Sequence, residues 1–150
     1  MKKSVFIIGF SCFCCALSSA QVFEPNVVVG TWRVVGDEIN FPPSPDKSIE
    51  KQLAEFKAQF LHAVFVFQAD YNFSFNINID ELKVQKAHWK YNPNNHRYEI
   101  QSWKDKDVNN SFLMILELKK EGDKTYFLLP TDDDFPKEVS IKLEVVKMLE

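Results

Sequence analysis

The sequence predicts an all-β protein: an eight-stranded antiparallel up-and-down barrel with one α-helix between strands 1 and 2. Three observations carry this. Apolar residues recur at every second position through most of the chain. In residues 71–79 (YNFSFNINI), Phe73, Phe75, Ile77 and Ile79 alternate with Asn72, Ser74, Asn76 and Asn78. Side chains alternate across a strand, so such a segment buries one face and wets the other. One segment, residues 44–62, breaks this period with helical spacing. The strands after it are joined by short connections, which favours a consecutive antiparallel meander. Eight such strands can close on themselves and leave no edge unpaired. A two-sheet sandwich is the main competing arrangement.

The first strand is placed at residues 27–35 (VVVGTWRVV). Valine favours a strand, while glycine marks a bend or a close backbone approach. Gly30 and Trp32 fall two apart, on one face. Residues 39–43 (INFPP) read as a loop stiffened by proline. In residues 44–62 (SPDKSIEKQLAEFKAQFLH), Ile49, Leu53, Phe56 and Phe60 form one helical face, with Ser44 or Asp46 as the cap. Residues 63–68 (AVFVFQ) and 71–79 make a hairpin through Ala69 and Asp70. Residues 86–91 (KAHWKY) and 96–103 (HRYEIQSW) make a second hairpin through Asn92, Pro93, Asn94 and Asn95. That register puts Tyr91 opposite His96 and His88 opposite Glu99. A charged loop at 104–110 leads to a strand at 111–119, with Phe112, Met114, Leu116 and Leu118 in phase. Glu121, Gly122 and Asp123 turn the chain into a strand at 125–130. The last strand covers 138–147, with Val139, Ile141, Leu143 and Val145 in phase.

The first twenty residues read as a leader. Lys2 and Lys3 precede the uncharged apolar run 5–17 (VFIIGFSCFCCAL), and Ser18, Ser19 and Ala20 offer a small-residue cleavage site before Gln21. That is the layout of a secretory signal peptide, and the run falls short of the roughly 20 residues a membrane-spanning helix needs. The expected division is residues 1–20 as signal peptide and 21–150 as the barrel domain, exported to the periplasm or beyond. No transmembrane segment is expected in the mature chain. Cys12, Cys14 and Cys15 all lie in the leader, so the mature domain has no disulfide and no thiolate chemistry. None of the three has the leucine and small residues that precede an acylated lipoprotein cysteine. Loss of Lys2 and Lys3 lowers the formal charge from −3 to −5. A mildly acidic domain without a basic cluster has no footprint for nucleic acid.

Gly30, Thr31 and Trp32 carry a resemblance. The chain resembles the lipocalin-like, calycin-type β-barrel proteins exported by bacteria, whose first strand has the form G-x-W. The strand order resembles theirs across most of the mature chain. The resemblance implies that Trp32 closes one end of the barrel and that Gly30 lets the strand bend. Many lipocalins stack an arginine from the last strand on this tryptophan; here Lys147 is in phase and is the expected partner, so Gly30, Trp32 and Lys147 form the expected structural plug. The helix departs from the open loop of outer lipocalins and is similar to the helical lid of intracellular fatty-acid-binding barrels. The glycine-rich motif of haem-binding nitrobindin-like barrels is absent, because Arg33, Val34 and Val35 follow Trp32.

No catalytic motif emerges. His62, His88 and His96 lack zinc spacing, and the acidic run at 132–134 lacks the alternate spacing and glycine of a calcium loop. No G-x-S-x-G elbow or phosphate-binding glycine loop occurs. The expectation is a non-catalytic binding protein for a small hydrophobic or amphipathic ligand, without cofactor or metal. Phe56, Phe60, Phe73, Phe75, Trp89, Tyr98 and Phe112 are the candidate ligand-binding residues. Inward aromatics fill solid cores more often than they line cavities. The alternative is therefore an envelope protein with a filled barrel that docks a protein partner.

Overall fold

A computed structural model describes residues 25–77, 87–109, 111–130 and 139–149. The leader assigned to residues 1–20 and the acidic run at 132–134 lie outside these residues. So do the predicted strand ends at 78–79, at Lys86 and at Glu138.

The strands are β1 (Gly30–Asn40), β2 (Val64–Phe67), β3 (Asn72–Phe75), β4 (Ala87–Asn92), β5 (Arg97–Ser102), β6 (Met114–Glu121), β7 (Lys124–Leu129) and β8 (Ser140–Lys147). One helix, α1 (Lys47–Phe60), joins β1 to β2. Neighbours in sequence pair antiparallel throughout, and β1 also pairs with β8, so the sheet closes as an eight-stranded barrel. The sandwich alternative is thereby excluded. Closure satisfies both edges of β1: Gly30 to Arg33 pair with β2, and Trp32 to Asn40 pair with β8.

β1 differs most from its sequence expectation. Val27 and Val28 belong to a short 3-10 turn, Pro25–Val28, rather than to the strand. The strand then runs to Asn40, through residues that read as loop. A bulge explains the difference. Val34 faces Val145, but Gly36 faces Glu144 and Asp37 faces Leu143, so Val35 is the extra residue. One inserted residue reverses the alternation. Without it Gly36 and Glu38 would point inward; with it Asp37 and Ile39 do. Ile39 is buried accordingly.

The second hairpin is also in a different register. Tyr91 faces Tyr98, Lys90 faces Glu99 and His88 faces Gln101. The expected His88–Glu99 and Tyr91–His96 strand pairs are displaced by two residues. His96 instead sits in the turn with φ +57°, and its Nδ1 lies 2.8 Å from the Tyr91 hydroxyl.

Asp46 caps α1, its carboxylate accepting from Ser48 N–H at 2.8 Å. The apolar face is not uniformly covered. Phe60 is 1% exposed, Leu53 and Phe56 are half-buried, and Ile49 is 46% exposed. The helix is thus anchored at its C-terminal end and stands away at its first turn.

Candidate functional site

The barrel has two unlike ends, and the sequence places different chemistry at each. The β2–β3, β4–β5 and β6–β7 turns lie at the same end as the residues before β1, here called the closed end. Trp32 lies 6% exposed at the start of β1, and its indole N–H donates to Val28 O at 2.7 Å. Gly30 has φ +132°, a conformation side-chain-bearing residues rarely adopt. The Lys147 stem crosses the space a Cβ on Gly30 would fill. Its ammonium lies 5.5 Å from the Trp32 ring and 3.5 Å from Val27 O. Glycine therefore admits a lysine side chain here, more than a neighbouring backbone.

Above Trp32 the interior is aromatic. Phe65, Phe67, Phe73, Trp89, Tyr98 and Phe127 are each 4% exposed or less. Their rings form a continuous network: Trp32–Phe127 at 5.6 Å, Phe65–Phe127 at 5.5 Å, Phe67–Phe73 at 4.9 Å and Phe67–Trp89 at 5.9 Å. Most of these pairs are tilted or edge-to-face, as ring quadrupoles prefer. The Trp89 indole donates to Gln68 O at 2.9 Å. The Tyr98 hydroxyl has no hydrogen-bond partner among the described residues, and burial pushes its pKa up to about 12. The phenol is thus kept neutral because its anion would be poorly solvated.

At the helix end the inner face is only half covered. Phe41, Phe56, Phe75, Leu129 and Ile141 pack on the core yet remain partly exposed. Phe56 links the helix to the wall, edge-on to Phe41 at 5.8 Å and to Phe60 at 5.0 Å. Among these apolar groups the β1 bulge sets one carboxylate. Asp37 shares the inner face with Leu143 and lies one rung from the Ile39–Ile141 pair. Its side chain is 11% exposed, and its Oδ1 lies 3.2 Å from the Lys57 ammonium of α1.

Of the candidate ligand-binding residues, Phe73, Trp89 and Tyr98 fall in the buried aromatic network. Phe56, Phe60 and Phe75 fall at the helix end. Phe112 is apart from both. It precedes β6 instead of forming part of it, and the Lys90 ammonium lies 5.5 Å from its ring. Lys90 alternates with inward Trp89 and Tyr91, so this contact is on the outside of the wall.

That outer wall holds buried polar groups that sequence reasoning missed. Residues 103–109 fold back over β4 and β5. Gln101 is fully buried, and its amide N–H donates to Val108 O at 2.9 Å. The Trp103 ring lies 5.0 Å from that of His88, and its indole donates to Asn72 Oδ1 at 3.0 Å. Burial first, then repulsion from Lys90 and Lys106, holds the His88 pKa below its ordinary 6.5. Glu99 is buried beside Lys90, at 3.2 Å, and Asn92 donates to it at 2.7 Å. A second outer feature is an open groove of about 330 Å³ between Glu38, Glu117, Leu128, Pro130 and Lys142. There Lys142 is tied to Glu121 at 3.0 Å and lies 4.1 Å from the Tyr126 ring. Among the described residues no three His, Cys, Asp or Glu side chains come together as a metal site.

Fold and site together define a closed antiparallel β-barrel with packed aromatics toward one end and, among the described residues, a partly exposed apolar face beneath a helix at the other. Comparison with known protein families, curated proteins and solved structures finds no match.

Proposed function

We propose that this is an exported, non-catalytic, lipocalin-like binding protein that holds a small amphipathic ligand at the helix-covered end of its barrel. The observation that carries this is the mouth. Five apolar side chains face inward there without being fully covered, and one largely covered carboxylate, that of Asp37, sits among them. Such sites are mostly apolar with few convergent polar groups. The helix edge, free at Ile49 and anchored at Phe60, is suited to yield to an entering ligand. Native mass spectrometry of protein purified from its own host tests the reading: a co-purifying small molecule, released on unfolding, is expected. Absence of any bound molecule, together with failure to bind a neutral apolar fluorophore, would refute it.

A second reading rests on the aromatic network, which packs the barrel from Trp32 up to Phe65. A filled interior suits an envelope protein that acts through its outer surface by docking a protein partner. The same two measurements separate these readings. Export is tested independently, because the intact mass of the mature protein should begin at Gln21.

A further inference from the structure

We propose that the mouth selects amphiphiles with a cationic head, with Asp37 as the headgroup anchor and Lys57 as a displaceable internal counter-ion. The inference rests on the binding reading above and names its ligand class.

The two members of the ion pair are unequal. Asp37 is fixed on β1, turned inward by the bulge at Val35, and its side chain is 11% exposed. Its charge cannot leave the mouth. Lys57 projects from α1 and is 47% exposed. A lysine stem is long and flexible, and its ammonium can swing into water while the methylenes stay on apolar surface. The contact itself is loose. Asp37 Oδ1 makes no hydrogen bond of good geometry among the described residues, although Lys57 Nζ is 3.2 Å away.

A ligand entering beneath α1 must meet this carboxylate. An anionic head would bring a like charge against Asp37 and compete for its only close cation among the described residues. A neutral head that displaced Lys57 would leave a largely desolvated carboxylate without a counter-charge, which is costly. A primary ammonium exchanges one cation for another. It can approach Asp37 directly, while its alkyl chain lies against Phe41, Phe56, Phe75 and Ile141. The released Lys57 regains full hydration, so the exchange leaves no charge stranded. The exchange removes the ion pair between α1 and β1, while Phe60 keeps the C-terminal end of the helix seated.

The test uses the full mature chain, loaded with the neutral fluorophore N-phenyl-1-naphthylamine. Dodecylammonium, dodecan-1-ol and dodecanoate are titrated as displacers at neutral pH, the two ions below their micelle concentrations and the alcohol below its solubility limit. Dodecylammonium is expected to displace at concentrations about tenfold below the other two, the effect of one charge-assisted hydrogen bond. Asp37→Asn should abolish that preference, bringing dodecylammonium to the level of dodecan-1-ol. Lys57→Gln, which removes the competing cation, should tighten dodecylammonium further. If dodecan-1-ol displaces the fluorophore equally well, or dodecanoate better, the headgroup assignment is overturned and the binding reading survives. If the fluorophore itself does not bind, the binding reading fails and takes the assignment with it.

Discussion

Replacing Gly30 by alanine tests how the closed end is built. Two costs are separable. The backbone sits at φ +132°, where a residue with a Cβ is strained by about 1–3 kcal/mol. The new Cβ would also lie 2.5 Å from Cε of Lys147 and 3.3 Å from its Nζ. That contact is with the far end of a flexible side chain, so Lys147 would swing aside. The swing forfeits its position over the Trp32 ring, a contribution of about 0.5–1 kcal/mol. The expected total is about 1.5–4 kcal/mol. Guanidinium unfolding followed by circular dichroism measures it for Gly30→Ala, Lys147→Ala and the double variant. The double-mutant cycle should give a coupling of about 0.5–1 kcal/mol between the two positions. The larger backbone share should persist without the lysine. A Gly30→Ala protein within about 0.5 kcal/mol of the parent would refute the reasoning, because neither strain nor displacement would then be present.

Trp32→Ala removes the largest ring of the closed end together with its bond to Val28 O, and should cost about 3–5 kcal/mol in the same assay. Unchanged unfolding would show that the ring plugs nothing. His88 gives a pH dependence. Its folded pKa lies below the 6.5 of the unfolded chain, so the unfolded state binds the extra proton first. Its contribution is complete above pH 6.5 and is lost as pH falls toward the folded value. His88→Gln should flatten that part of the stability profile, and an unaltered slope would assign it elsewhere. Tyr98 acts at the opposite extreme. With its folded pKa near 12 against 10 in the unfolded chain, stability should fall between those values by up to about 2–3 kcal/mol. Tyr98→Phe removes that alkaline loss. It should leave stability at neutral pH equal or up to about 1 kcal/mol higher, since the hydroxyl has no partner among the described residues. A neutral-pH loss above about 1 kcal/mol would mean that the hydroxyl is bonded.

Local alternation was enough to find the strands. Phe65 and Phe67, Phe73 and Phe75, Leu116 and Leu118, and Leu143 and Val145 each share the face that their spacing implies. The helix was legible for the same reason, and its cap at Asp46 is a side-chain property of one residue. The site was less legible. Asp37 lies in a stretch without a clean period, and nothing in its neighbours announces that Val35 bulges. Lys57 falls off the apolar helical face of Ile49, Leu53, Phe56 and Phe60, and Gln101 alternates with Ile100, so neither position by itself signals a role. Each acquires its role from a segment distant in sequence: Leu143 for Asp37, Asp37 for Lys57, and Val108 for the Gln101 amide.

The amino-acid sequence by itself determined that eight strands and one helix follow one another in this order, and that an aromatic core must exist. These follow from period and propensity, which act within a few residues. The tertiary structure decided that the sheet closes through β1 and β8 and that the second hairpin slips by two. It also decided that a single bulged valine turns Asp37 into the barrel. Closure and register depend on pairings between distant segments. A one-residue bulge exchanges the two faces of a strand without changing its composition.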